Sequence, residues 1–135
     1  MGAELSLPDR YRDHLQVCID ERGIGLPHAL VLDHAGTLTM IALDVSPDEI
    51  YRVMLRRWRA GAKEMIFALD RFATEGQGTT LGDLVAGHYF VSGEAPRPFV
   101  IEYQHEPRVL KAVEWNNPHW NAALTRELAH ALVNV

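Results

Sequence analysis

Residues 65–83 read MIFALDRFATEGQGTTLGD, and this stretch carries the main prediction about the fold. The unbroken apolar run Met65–Leu69 predicts a strand that is buried on both faces. The loop 73–79 contains two glycines, and residues 80–86 predict a short helix that is capped at its start. We therefore expect a strand, a loop and a helix in succession near the middle of the chain.

A helix and a β-hairpin are predicted before this stretch. Ser6 provides a hydroxyl cap for a helix over 8–22, in which apolar residues recur at helical spacing. Residues 28–33 and 37–45 predict the two strands of a hairpin, with Gly36 in the left-handed conformation of a three-residue turn. Both faces of this hairpin carry apolar side chains, so we expect both faces to be covered.

The segment 46–61 gives the strongest local helix signal. Ser46 is the predicted N-cap, Pro47 takes the first helical position, and Glu49 completes a capping box. Gly61 is expected to end the helix. This second helix therefore connects the hairpin to the strand at Met65.

Three more strands are predicted after the central stretch. The first lies near residues 88–92, and residues 99–104 and 109–115 predict a second hairpin. The natural register of that hairpin places Glu102 opposite Lys111, which is a favourable cross-strand pair of opposite charges.

The order of elements predicts one α/β (α+β) domain over residues 1–135. We expect a mixed β-sheet of about six strands, flanked by helices. The N-terminal helix covers 8–22, the core covers 24–115, and a C-terminal helix covers 118–134, capped by Asn117.

Composition narrows the class of protein. The chain has 135 residues, 47% of them hydrophobic, and a formal net charge of −5. That charge gives no general reason to bind nucleic acid or an anionic membrane, and no apolar run reaches the roughly 18 residues of a membrane span. Cys18 is the single cysteine. It cannot form an internal disulfide, and we expect a cytoplasmic protein.

The central stretch resembles the zinc motif of the JAMM (JAB/MPN) metalloprotease family, His-x-His-x7-Ser-x-x-Asp. Asp70 and Phe72 stand at the two histidine positions, Thr80 at the serine position and Asp83 at the aspartate position. The resemblance implies a JAB/MPN-like, cytidine-deaminase-like sandwich over about residues 24–115. In that family the two histidines and the aspartate hold zinc. Phenylalanine cannot ligate zinc, so at most two of the three expected ligands remain.

Four residues are the candidates for an atypical catalytic site: Asp70, Asp83, His88 and Thr80. If the strand at His88 runs back beside Met65–Leu69, His88 approaches Asp70, and a His–Asp pair could serve acid–base chemistry. The alternative is that the carboxylates cap a strand and a helix, and that His88 ends a strand. We expect no cofactor and no bound metal, with zinc only if this atypical site is functional.

Two groups of residues are candidates for contact with a partner. Arg52, Arg56 and Arg59 fall on one face of the second helix, where a positive stripe suits an acidic partner better than DNA in a chain of negative charge. Trp115 and Trp120 mark the corner between the last strand and the last helix, and tryptophan is enriched at interfaces. A solvated helix face and a packed corner are the structural alternatives.

These observations favour a non-catalytic JAB/MPN-like interaction or assembly domain that lacks an intact zinc site and pairs with another protein or with itself. One alternative is a metal-dependent hydrolase with an Asp/His site. The other is a small acidic inhibitor or accessory protein that occupies the surface of a partner.

Overall fold

The structure is a computed structural model that describes residues 6–21, 28–42, 46–73, 82–105 and 108–116, together with Glu127 and His130. The predicted C-terminal helix over 118–134 lies outside the described residues, except that Glu127 and His130 are helical and exposed. Loop 73–79 also lies outside them beyond Ala73.

The two predicted helices near the N-terminus are confirmed. Helix α1 spans Leu7–Glu21, and the Oγ of Ser6 accepts a hydrogen bond from the amide of Asp9 at 3.3 Å. Helix α2 spans Pro47–Arg59, and the side chain of Ser46 accepts from the amide of Glu49 at 3.4 Å. Side-chain caps of this kind satisfy amides that have no partner within the helix, so each helix begins where its cap occurs.

The described strands form one sheet. They are β1 (His28–Asp33), β2 (Leu38–Ala42), β3 (Ala62–Ala73), β4 (Gly82–Val91), β5 (Arg97–His105), β6 (Arg108–Leu110) and β7 (Glu114–Trp115). The sheet order is β2-β1-β3-β4-β5-β6, and β7 also pairs with β5.

Every described strand pair is antiparallel, so the predicted mixed sheet is wrong. Neighbouring strands are joined mainly as hairpins, and a parallel pair would need a crossover connection instead.

The helix predicted over 80–86 is also wrong, because β4 begins at Gly82. Leu84, Val85 and Ala86 are all 0% exposed, and they pair with β3 on one side and β5 on the other. A strand with a neighbour on both sides satisfies its backbone hydrogen bonds, and the cores on the two faces of the sheet bury its side chains. Those gains exceed the preference of a few residues for a helix cap.

Each helix covers one face of the sheet. Helix α1 packs on the face that we call the α1-side core: Leu7, Tyr11, Leu15, Leu30, Ile66, Ala68, Val85, Phe99, Ile101, Tyr103 and Leu110. Helix α2 packs on the face that we call the α2-side core, which includes Ile50, Met54, Met65, Phe67 and Phe90. Side chains along β3 and β4 point alternately to the two faces of the sheet. Each of these apolar strands therefore contributes residues to both cores.

The register of the β1–β2 hairpin agrees with the prediction, but its burial does not. Leu30 pairs with Met40 and Leu32 pairs with Leu38, while Gly36 has φ +87° in the turn. Strand β1 is largely buried, whereas most of β2 is exposed. The expectation that both faces of the hairpin are covered is wrong for β2. This strand lies at the edge of the described sheet, and helices α1 and α2 leave it exposed except for the half-buried Ile41.

The second hairpin has the predicted register. The backbone amide of Lys111 donates to the carbonyl of Glu102 at 2.9 Å, and the two side chains form an ion pair at 3.5 Å. Arg12 of α1 also reaches this edge of the sheet. Its guanidinium donates hydrogen bonds to the carbonyls of Leu110 and Lys111, the first at 2.8 Å.

Candidate functional site

The predicted carboxylate pair lies on two neighbouring strands. Asp70 pairs with Val85, and Asp83 lies two positions before Val85 on β4. Diagonal neighbours of this kind have Cα atoms about 7–8 Å apart. Phe72, which stands at a histidine position of the JAMM motif, is the direct register partner of Asp83. The antiparallel pairing thus places the backbones of Asp70 and Asp83 near each other without a helix at either end.

His88 does not lie beside Asp70, so the predicted His–Asp pair is wrong. His88 pairs with Phe67, three positions along β4 from the register partner of Asp70, which corresponds to about 10 Å. The His88 side chain is 4% exposed, and its ring centroid lies 6.1 Å from that of Phe90 in the α2-side core. Val85 belongs to the opposite, α1-side core. The register of the long β3–β4 ladder therefore separates His88 from the backbone position of Asp70.

The remaining member of the predicted site, Thr80, lies outside the described residues. Within the described part of the chain, no group of three or more His, Cys, Asp or Glu residues is placed to hold a metal ion.

The predicted partner residues on α2 are exposed. Arg52, Arg56 and Arg59 all face solvent, and Arg56 and Arg59 lie in the last turn of the helix. Cations at this end also stabilise the helix, because the C-terminus carries the negative end of the helix dipole. The stripe is therefore available to a partner, and part of it has a structural role as well.

Trp115 is half-buried in an aromatic cluster. Its ring centroid lies 5.8 Å from Phe99 and 6.1 Å from Tyr89, and the guanidinium carbon of Arg97 lies 4.2 Å from the ring centroid. These contacts hold β7 against β5 and cover one face of the indole with a cation. The other predicted tryptophan, Trp120, lies outside the described residues.

Tyr89 also forms a hydrogen bond with a carboxylate, because its hydroxyl donates to Oε1 of Glu64. Burial, that hydrogen bond and the charge of Glu64 together raise the pKa of Tyr89 above its ordinary value of 10.0. The unfolded chain ionises this phenol at a lower pH than the folded chain does. Its contribution to stability is therefore complete below about pH 10 and is lost as the pH rises through the folded value.

We expect the phenol of Tyr89 to ionise later than a free tyrosine. Absorbance at 295 nm is measured from pH 9 upward for the wild type and for Tyr89→Phe, and the difference isolates this group among the four tyrosines of the chain. The difference curve should have its midpoint above pH 10, and Glu64→Gln should move that midpoint down. A midpoint at or below pH 10 in the wild type would contradict the part-buried hydrogen bond between Tyr89 and Glu64.

The end of the molecule near the start of α1 contains a cavity of about 330 Å³. Its wall includes Arg10, Asp33, Lys63 and Glu64. Asp33 Oδ1 already accepts hydrogen bonds from the amides of Ala35 and Thr37, each at 2.9 Å. The charges around the cavity are mixed in sign, and both carboxylates have partners within the fold.

The feature that sequence reasoning missed is the outer edge of β2. None of the described strands pairs with this edge, and we call it the free edge of β2. Leu38 is 38% exposed and Met40 is 36% exposed, two of the most exposed large apolar side chains among the described residues. Both share the face of Leu30 and Leu32, but α1 does not extend over them. A signal was present in the sequence, because residues 35–43 contain no charged side chain, whereas edge strands usually carry charges or proline that block pairing.

The backbone of β2 is also available for pairing. The amide of Asp33 donates to the carbonyl of Thr37 at 3.1 Å, which makes these two residues a hydrogen-bonded pair. Hydrogen-bonded pairs alternate with non-bonded pairs in an antiparallel ladder, so Thr39 and Ile41 also bond to β1. The N–H and C=O groups of Leu38, Met40 and Ala42 consequently point away from β1, toward the free edge.

None of the helices that the structure describes is long and apolar enough to cross a membrane. Comparisons of this chain with protein-family models, with curated proteins and with solved structures gave no match. The function is therefore argued from the geometry of the chain itself.

Proposed function

We propose that the protein is a non-catalytic assembly domain that associates with a second protein chain, most simply with itself, through the free edge of β2. The single observation that carries the proposal is that β2 is an exposed edge strand without charged residues, which presents Leu38 and Met40 to solvent. Strands of this kind pair readily with strands of another chain, and natural proteins usually obstruct them unless pairing is used.

The contrast with the other edge of the sheet supports this proposal. Strand β6 has only 3 residues, begins with Arg108 and is followed in the sequence by Lys111. The Arg12 guanidinium bonds to the carbonyl of Leu110 there. A short strand, charged residues and a contact from a neighbouring helix are usual means of blocking an edge. The β6 edge thus has three features that block pairing. The described residues of β2 have none of them.

The proposal does not depend on the resemblance to the JAMM family. That resemblance implies a helix that starts near Asp83, and the chain has β4 there. A JAB/MPN-like relationship stays a hypothesis about ancestry. The assembly role rests on the edge of β2 alone.

A metal-dependent hydrolase is the second candidate, because the backbones of Asp70 and Asp83 are diagonal neighbours. Equilibrium dialysis against Zn²⁺, with Asp83→Asn as the matched variant, separates the two functions. Stoichiometric zinc that is lost in Asp83→Asn would favour the hydrolase. Equal, weak uptake by both proteins would favour the assembly domain.

We expect the purified chain to self-associate in a concentration-dependent manner. Sedimentation equilibrium from about 5 to 500 µM should show a mass that rises from 15.2 kDa toward twice that value. Association should be stronger at 300 mM than at 50 mM NaCl, because each copy carries a formal charge of −5 and salt screens the repulsion between copies. A constant monomer mass at 500 µM would contradict self-association.

A further inference from the structure

We infer that the strand that pairs with β2 is β2 of a second copy, antiparallel to the first, with a two-fold axis through Met40. This inference rests on the self-association proposed above and specifies its interface. The result is a continuous antiparallel sheet across two chains, with both copies of α1 on one face and both copies of α2 on the other.

The backbone directions restrict where the two-fold axis can lie. Only Leu38, Met40 and Ala42 turn their N–H and C=O groups outward, because the residues between them bond to β1. An axis between two residues would place outward groups opposite groups that already bond to β1, so it would form no ladder. The axis must therefore pass through a residue.

Among these axes, the one through Met40 uses every outward group of the strand. It pairs Met40 with Met40 of the second copy, and Leu38 with Ala42 in both directions. Each of these three pairs is a hydrogen-bonded pair with two hydrogen bonds, which gives six in all. An axis through Thr39 would pair Ala42 with Gly36, which lies in the turn and outside β2.

The side chains fit the same register. Leu38 would lie opposite the small Ala42, and the two methionines would lie side by side on the face that α1 leaves uncovered. Thr39 would lie opposite Ile41 on the other face. Strand β2 contains no charged residue, so self-pairing places no like charges opposite each other. A strand with acidic or basic residues would not tolerate its own copy in this way.

The length of the strand sets the expected affinity. A ladder of 5 residues per chain buries less area than a standard interface, which is roughly 1,600 Å². We therefore expect a dissociation constant of roughly tens to hundreds of micromolar, which is typical of a transient dimer.

The first experiment replaces one exposed apolar side chain with lysine at each edge of the sheet. Met40→Lys places two ammonium groups opposite each other at the two-fold axis, and we expect the dissociation constant to rise at least tenfold. Val109→Lys is the matched control, because Val109 is 39% exposed on β6 at the other edge. We expect wild-type association for this control, and thermal unfolding by circular dichroism establishes that both variants are folded.

A second experiment tests the register in the Cys18→Ser background. Under mild oxidation, Met40→Cys should form a disulfide-linked dimer, because the two Cα atoms at the axis should lie about 5.5 Å apart, within disulfide range. Leu38→Cys should not crosslink, because its two copies should lie four positions apart in register, about 13 Å. Rapid crosslinking at position 38 and not at position 40 would overturn the register.

These experiments separate the interface from the function. If the wild type self-associates and Met40→Lys does so equally well, the β2 interface is wrong, and only the self-association itself stands. If Val109→Lys is the variant that dissociates, the copies meet at β6 and the inference is overturned. If the wild type is a monomer throughout, both the inference and the proposed self-association fail.

Discussion

Gly87→Ala is expected to destabilise the fold by about 3 kcal/mol, because β4 approaches β3 too closely at this position for a side chain. A Cβ on Gly87 would lie 2.2 Å from the carbonyl oxygen of Phe67 and 2.8 Å from the Cα of Ala68. Both contacts are with the backbone, which cannot rotate away as a flexible side chain could. The two central strands would have to separate, and both cores lie against them.

The control for this change is Gly36→Ala in the β1–β2 turn. Gly36 has φ +87°, and nothing lies within 4 Å of the position that a methyl group would take, so alanine there meets strain but no collision. We expect a cost of about 1 kcal/mol. Urea unfolding followed by circular dichroism gives both free energies. A cost for Gly87→Ala equal to or below that for Gly36→Ala would show that β3 and β4 are not so close.

Tyr11→Ala is expected to reduce the free energy of unfolding by about 3–5 kcal/mol, as for other large aromatic side chains removed from a core. Tyr11 is 1% exposed, and its ring stacks on His28 of β1 at 5.5 Å and meets the edge of Phe99 of β5 at 5.8 Å. It therefore spans the row of Ala68 and Gly87 that lies between those strands. The small size of these two residues leaves room for the ring, which packs α1 onto the sheet together with Leu7 and Leu15.

A second variant separates the ring of Tyr11 from its hydroxyl. The hydroxyl lies 2.5 Å from Nε2 of His28, and Tyr11→Phe removes the hydroxyl with this hydrogen bond but keeps the ring. We expect a cost of about 1–2 kcal/mol. Val17→Ala on the same helix should cost less than about 0.5 kcal/mol, because Val17 is 52% exposed. If Tyr11→Ala costs no more than Tyr11→Phe, the ring is not the anchor of α1.

The features that the sequence predicted well depend on neighbours along the chain. The caps at Ser6 and Ser46 bond to amides three residues away, and Gly36 adopts the turn conformation that its hairpin requires. The pairing of Glu102 with Lys111 follows from the length of its turn. In each case the interaction spans few residues, so the local pattern contains most of the information.

The features that the sequence did not predict depend on pairing between distant residues. The motif around Asp83 has the pattern of a helix cap, yet β3 and β5 lie on both sides of it, and strand pairing satisfies more backbone groups than a short helix would. The sequence also did not show that His88 pairs with Phe67. The apolar pattern within each strand does not record how β3 and β4 are aligned with each other. The predicted site could not be judged until the ladder was known.

By itself, the sequence of this protein determined two capped helices, the apolar strands and an acidic charge, because caps, turns and periodicity act within a few residues of each other. Tertiary structure alone decided that the described strands pair antiparallel, that His88 lies apart from Asp70, and that β2 has the free edge of the described sheet. An edge is defined by the absence of a neighbouring strand, and which strand lacks a neighbour depends on how the whole sheet assembles. The topology of the sheet therefore places the proposed interface at β2. The absence of charged residues in the stretch 35–43 allows that edge to pair with another strand.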